Sequence, residues 1–207
     1  SVCLTDLPSD DLTSAAAAAQ AAATGGARVM ARPMDVADMP AMEALAAAVQ
    51  TELGPVSLLM NHAATRIGRG MWADPDEWRR LVDVDLWGVS YGVRAFAPAM
   101  IASGPPGRIV VVGSKQGITN PPGHPAYNMV KAALKSYAEG LAHDLRNGDN
   151  PSVTAHLLIP GWTTTGKSDH KPGAWLPGQV VDRMIDSVRA GDFYIVCPDG
   201  ETTPEEQ

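Results

Sequence analysis

Cysteine is nearly absent from this chain: only Cys3 and Cys197 occur in 207 residues, almost at opposite ends. Such a pair supplies neither a zinc-ligand set nor a disulfide framework, so no metal site is expected and two inert thiols in a reducing cytoplasm are. Positive charge is scarce as well, with 16 Lys and Arg against 23 Asp and Glu and a formal net charge of -7. Phosphate backbones are bound by concentrated Lys and Arg, which sets nucleic acid aside as a partner. Long apolar runs are also missing. The most apolar helical stretch, Ala15 to Ala23, is alanine interrupted by Gln20, too short and too weakly hydrophobic to span a bilayer, so no membrane segment is expected. The chain opens at Ser1 with no basic start and no apolar leader, and residues 1–5 already read as a strand, so the N-terminus reads as cut rather than natural.

What is present suffices for one core, since 45% of the residues are hydrophobic. Short β-rich runs alternate with helical patterns, which predicts an α/β single domain over residues 1–207 with a parallel sheet and helical crossovers. Strands are expected at 1–5 and 27–31, around an alanine-rich helix ending at Gly25 and Gly26. Met42, Leu45, Ala46, Val49 and Leu53 then mark a helix stopped by Gly54 and Pro55, followed by a strand at 56–61. A long helix over 76–103 closes at the turn 104–107, and 108–112 is a fully buried strand. The helix of 126–147 and the strand at 153–159 lead into a Pro/Gly-broken loop at 160–178. A helix at 180–189 and a strand at 193–196 precede a polar tail, 198–207.

Tyr127 and Lys131, four apart at the start of a helix, share one face of it. Alone that spacing is usually a packed ring and a solvated charge. Ser114 raises its value, because it stands where the strand 108–112 ends, and open α/β sheets put ligands at the carboxyl ends of their strands. A phenol titrating near 10 is a poor base at neutral pH, but an adjacent ammonium favours the ionised form. Such a phenol takes a proton from an alcohol, or returns it to an alkoxide, while the Ser114 hydroxyl holds the substrate oxygen. The substrate expected is a small secondary alcohol or its ketone, and the hydride requires a cofactor. Asp6, at the end of the first strand, suits the ribose hydroxyls of an adenosine and repels a 2′-phosphate, which favours NAD over NADP. The bland alternative is a turn aspartate with no ligand.

The segments GRIVVVGSKQG, PAYNMVKAA and PGWTTT resemble, in order and spacing, those of the short-chain dehydrogenase/reductase family, and nearly the whole chain can be laid along it. The resemblance implies a Rossmann-like, doubly wound fold and a catalytic set of Ser114, Tyr127 and Lys131, with Tyr127 and Lys131 also lying against the cofactor. The stretch MNHAA is similar to the family's Asn-Asn-Ala-Gly element, which would put Asn61 and the backbone of Ala63 beside the adenosine. Asn61 is equally a loop amide that caps neighbouring backbone. In MDVAD, Asp35 and Val36 look like an adenine contact, although an Asp after a strand is also an ordinary helix cap. In PGWTTT the resemblance gives Thr163 a backbone contact to the nicotinamide carboxamide and Thr165 a side-chain contact to the cofactor. It also implies a homodimer or homotetramer, formed through the helices of 76–103 and 126–147. Gln116, His124, Trp162 and Trp175 stand where pocket walls would be, but bulky loop residues are as often packing.

Two departures from the family pattern matter. Asp85, in VDLWG, replaces the asparagine that holds a water near the catalytic lysine, and its negative charge is expected to oppose phenolate formation and shift the pH optimum upward. No glycine-rich loop of the G-x-G-x-x-G kind follows a strand, so the resemblance places the first βα unit upstream of Ser1. Both departures keep open a non-catalytic binding or scaffold protein on the same fold. A third reading comes from residues 161–168, which match the phosphate-loop pattern G-x-x-x-x-G-K-[ST] of nucleotide triphosphatases. That mechanism needs a helix beginning at the Lys-Ser pair, and Pro172, Gly173 and Pro177 leave little room for one.

Overall fold

The computed structural model describes residues 1–148, 151–164 and 169–200. Strands and helices follow in the order β1 Val2–Asp6, α1 Asp10–Ala22, β2 Val29–Pro33, α2 Met39–Glu52, β3 Leu58–Asn61 and α3 Pro75–Val82. A π-helical turn, Asp83–Trp87, leads directly into α4 Gly88–Ser103. Then come β4 Gly107–Val112, α5 Gln116–Thr119, α6 Pro125–Asn147, β5 Val153–Pro160, α7 Pro177–Ala190 and β6 Tyr194–Cys197.

Every strand pairing is parallel, as alternating strands and helices require. Four strands pair in the order β3-β4-β5-β6, while β1 and β2 pair separately. The Rossmann-like order is therefore interrupted between β1 and β3, where the order 3-2-1-4-5-6 would put its central strand. The strands beside the break carry exposed apolar side chains, with Val2 at 40%, Leu58 at 49% and Met60 at 38% exposure. A shared core nevertheless joins both sheets: Met30 of β2, Met42 and Val49 of α2, Val93 and Met100 of α4, and Ile109 of β4 form one buried cluster.

Alternation along β4 explains why helices cover both faces. Ile109 and Val111 turn toward α4 and α6, while Val110 and Val112 pack with Val180 and Met184 of α7. Helix starts are set by side-chain caps. Ser9 accepts from the amide of Leu12 (3.2 Å), Asp38 from Ala41 (3.0 Å) and Asp74 from Asp76 (2.8 Å). Burial pushes both thiols up, that of Cys197 to about 11, so neither ionises at neutral pH. Among the described residues no helix is long and apolar enough to cross a membrane.

Leu134, fully buried among Val89, Val111 and Leu157, joins α6 to the sheet. Leu134→Ala is expected to cost roughly 2–5 kcal/mol, measured by urea unfolding, through lost transfer energy and a residual cavity. A cost below about 1 kcal/mol would contradict this packing.

Candidate active site

At the carboxyl end of β4 the chain leaves the sheet, with the Gly113 amide still bonded to Leu158 O (2.8 Å), and the next residue is Ser114. Its Oγ accepts from the Gln116 amide at 3.2 Å, which leaves the hydroxyl hydrogen to donate. The short helix α5 then lies directly against α6. A Cβ on Gly117 would sit 2.6 Å from the carbonyl carbon of Lys131, so only glycine permits this approach. The Ser114 loop is thereby docked on the helical turn that carries Lys131.

Helix α6 starts at Pro125, whose missing N–H costs nothing in a first turn. Asn128 anchors the preceding loop, its Nδ2 donating to Asn120 Oδ1 (3.0 Å) and Pro121 O (2.7 Å). Lys131 is 3% exposed, and its Nζ donates to Val112 O at 3.1 Å. The same ammonium lies 5.3 Å from the centroid of the Tyr127 ring, with the Arg66 guanidinium 5.6 Å from that centroid. Tyr127 is buried, yet its hydroxyl makes no hydrogen bond to any described residue. The helix spacing thus sets Tyr127 beside Lys131, and the strand end with α5 brings the Ser114 loop onto the same turn of α6.

Asp85 sits on the π-helical turn between α3 and α4, fully buried. A π turn inserts an extra residue into a helix and is frequent at functional sites. One carboxylate oxygen accepts from the Thr65 amide at 2.6 Å. The other has no hydrogen-bond partner and lies 3.7 Å from Lys131 Nζ, an ion-pair distance too long for a hydrogen bond. Burial wins over Lys131, the Thr65 amide and Arg66, and holds the carboxyl above its ordinary range.

The cofactor candidates lie along the strand ends. Asn61 closes β3 with its Oδ1 only 2.3 Å from where a Cβ on Gly92 would stand, and its buried Nδ2 has no partner. Val36 packs on Gly88, one helical turn earlier, at 2.8 Å from the equivalent point. The two glycines of α4 therefore form a seat for two of the candidates. Asp35 does not cap a helix: its carboxylate accepts from the Ala37 amide (3.0 Å) and pairs with Arg80 (2.7 Å), and α2 is capped by Asp38 instead. Asp6 ends β1 and accepts from the Leu7 amide at 2.7 Å. His62 and Ala63 follow Asn61 at exposed positions. Thr163 forms a bridge with Trp175, and Thr165 lies outside the described residues. The unpartnered buried Nδ2 of Asn61, with an acid at the end of β1, fits an adenine dinucleotide spread over these strand ends.

A model of the short chain dehydrogenase family matches residues 1–172. The chain belongs to that family. It is 35% identical to galactitol 2-dehydrogenase (L-tagatose-forming) of Cereibacter sphaeroides over 155 residues, covering 73% of this chain and 59% of that protein. It is 31% identical to 1-deoxy-11-beta-hydroxypentalenate dehydrogenase of Streptomyces avermitilis over 167 residues, 79% of this chain and 60% of that protein. The chain thus spans less than two thirds of the length of these relatives. Among solved structures, a short chain dehydrogenase/reductase from Burkholderia phymatum in complex with NAD superposes with a TM-score of 0.85 at 28% identity, covering 93% of this chain and 78% of that one. As a short-chain dehydrogenase the chain is a member of an oxidoreductase family with a Rossmann-like fold.

Of the phosphate-loop match at 161–168, residues 165–168 lie outside the described residues. The amides of Gly161, Trp162 and Thr164 already donate to Cys197 O, Asp199 Oδ2 and Trp175 O, and among the described residues the next helix is α7, from Pro177. What sequence reasoning missed is Asp199 itself. Far from trailing in a tail, it is buried, pairs with Lys115 Nζ at 2.7 Å and ties the Ser114 loop to the loop after β5. It also missed Gly117 and the Gly88–Gly92 seat, of which the four-residue glycine spacing was the visible trace.

The raised carboxyl of Asp85 has a consequence for stability. In the folded state it holds its proton to higher pH than in the unfolded chain, so stability falls as pH rises through that window. Asp85→Asn does not titrate, and its stability relative to the parent is expected to increase from pH 4 to pH 7 in urea unfolding. A constant difference across that range would rule out a burial-dominated carboxyl.

Proposed function

We propose that the protein is an NAD-dependent dehydrogenase interconverting a secondary alcohol and a ketone, with Tyr127 as general acid and base. The observation that carries this reading is the Lys131 ammonium 5.3 Å from the Tyr127 ring centroid, beside a phenol hydroxyl that no described residue engages. The ammonium thus lies beside the group that would move the proton. Ser114 donates its free hydrogen to the substrate oxygen, and Tyr127 takes the proton from the alcohol or returns it to the ketone oxygen. A bound nicotinamide supplies the complementary hydride chemistry.

Cofactor choice rests on Asp6, whose carboxylate accepts from ribose hydroxyls and repels a 2′-phosphate. Asn61 and the backbone of Ala63 border the adenosine, Asp35 and Val36 the adenine, and Thr163 the carboxamide, with Thr165 assigned to the same cofactor. No G-x-G-x-x-G loop follows a strand in this sequence, and the reading assigns the pyrophosphate cradle to a further strand-turn-helix unit whose strand would lie between β1 and β3 in the sheet. Association into a homodimer or homotetramer through the helical segments 76–103 and 126–147, and a cytoplasmic location, belong to the same proposal. A second reading, a non-catalytic binding protein, draws on the buried Asp85 and the absent glycine loop.

Tyr127→Phe separates the two. In a nicotinamide absorbance assay over a panel of alcohols, the dehydrogenase is expected to lose roughly 100-fold or more of kcat while NADH binding persists. A parent protein with no turnover on any alcohol would favour the binding reading. Asp85→Asn is expected to move the acid limb of the kcat/KM profile to lower pH, because the negative charge that offsets Lys131 is gone. An unmoved profile would mean that Asp85 has no influence on the phenol.

A further inference from the structure

The crevice over Tyr127 gathers positive charge in a chain that is acidic overall. Arg66 lies 5.6 Å over the Tyr127 ring, and Arg69 Nη2 donates to His124 Nε2 at 3.3 Å, at the residue that precedes α6. The Gly70 amide bonds to Gly123 O at 3.1 Å, so the arginine-bearing loop is fastened to the segment that leads into the tyrosine helix. Both arginines are exposed, and among the described residues neither lies within ion-pair range of a carboxylate. The acids nearby are occupied: Glu77 accepts from the Gly68 amide (3.1 Å), and Asp85 is buried against Thr65 and Lys131, with Arg66 acting on it only from beyond ion-pair range.

His124 adds no charge of its own. Its ring is held below the usual histidine range by burial, then by Arg69 and Arg66, so at neutral pH it accepts from Arg69 and turns that guanidinium without neutralising it. On the Ser114 side, Gln116 Oε1 is buried with no donor. A buried acceptor without a partner is costly, so it suits a ligand that brings a hydroxyl or amide hydrogen. Two unpaired guanidiniums above a proton-transfer residue match the planar fork that binds carboxylate or phosphate.

We infer that the substrate is an alcohol or ketone bearing an oxoanion, a carboxylate or a phosphate, held by Arg66 and Arg69 with its reacting carbon at Tyr127. This rests on the dehydrogenase reading above and names its substrate class. A neutral polyol or a terpenoid alcohol would leave both guanidiniums without an ion-pair partner.

The test compares the protein with Arg66→Gln and Arg69→Gln on matched pairs: short 2- and 3-hydroxy acids against their methyl esters, and glycerol 3-phosphate against glycerol. The charged member is expected to show a kcat/KM about tenfold or more above its neutral partner, and each substitution to remove most of that preference through KM while kcat changes less than about threefold. The hydroxy-acid and phosphate arms separate the two oxoanions. Esters or glycerol turned over as well as their charged partners, or a preference unchanged in both variants, would overturn the inference and leave the dehydrogenase standing. If nothing is turned over, the dehydrogenase reading fails, and calorimetric titration of the same acids and esters judges the arginine site alone. Acids that bind the parent but neither variant sustain it, and equal binding of acid and ester sinks it.

Discussion

One buried hydrogen bond organises the crevice: Lys131 Nζ donating to Val112 O at the last residue of β4. A primary ammonium that is 3% exposed needs acceptors and a counter-charge to offset the hydration it has lost. Val112 O supplies the acceptor at the last residue of β4, shortly before the chain passes into α5. Asp85, arriving from the π turn, supplies the counter-charge. The bond therefore fixes helix to sheet two residues before Ser114, with Tyr127 one turn earlier on α6 and its ring centroid 5.3 Å from the same ammonium.

Close backbone approach is the second constraint. Gly117 lets α5 touch the Lys131 turn, and Gly88 and Gly92 let α4 receive Val36 and Asn61. Any side chain at these points collides with backbone or with a short, packed side chain, which has little freedom to move away. These contacts set the distances between strand ends, and the strand ends set where a ligand can lie. The apolar core behind them, from Ile109 to Val112 outward, supplies rigidity rather than chemistry.

Much of this was legible beforehand, and the reasons are physical. β4 and β5 are buried on both faces, so their continuous apolar runs fixed both the elements and their ends within a residue or two. Tyr127, Lys131 and Ser114 could be placed because helix spacing and a strand end are local properties. The π turn at Asp83–Trp87 was not visible, since one inserted residue barely disturbs the apolar stripe of residues 76–103. The Asp199–Lys115 pair escaped because its partners are 84 residues apart and neither lies in a periodic segment. β2 runs Val29–Pro33 rather than 27–31 because the turn at Gly25 and Gly26 extends to Ala27 and Arg28, and the strand keeps pairing with β1 up to Pro33.

The distribution of charge follows from burial. Lys131 and Lys115 lie mostly inside the fold, and each is matched by a fully buried carboxylate, Asp85 and Asp199. A matched buried pair adds little net field at a distance and is weak evidence of stability. Its use here is positional, because each pair joins the Ser114 end of β4 to a different element. Arg66 and Arg69 sit at the solvent boundary, where unpaired guanidiniums cost little and their field reaches outward within a Debye length. Charge is thus paired inside the fold and left without ion pairs at the surface beside Tyr127.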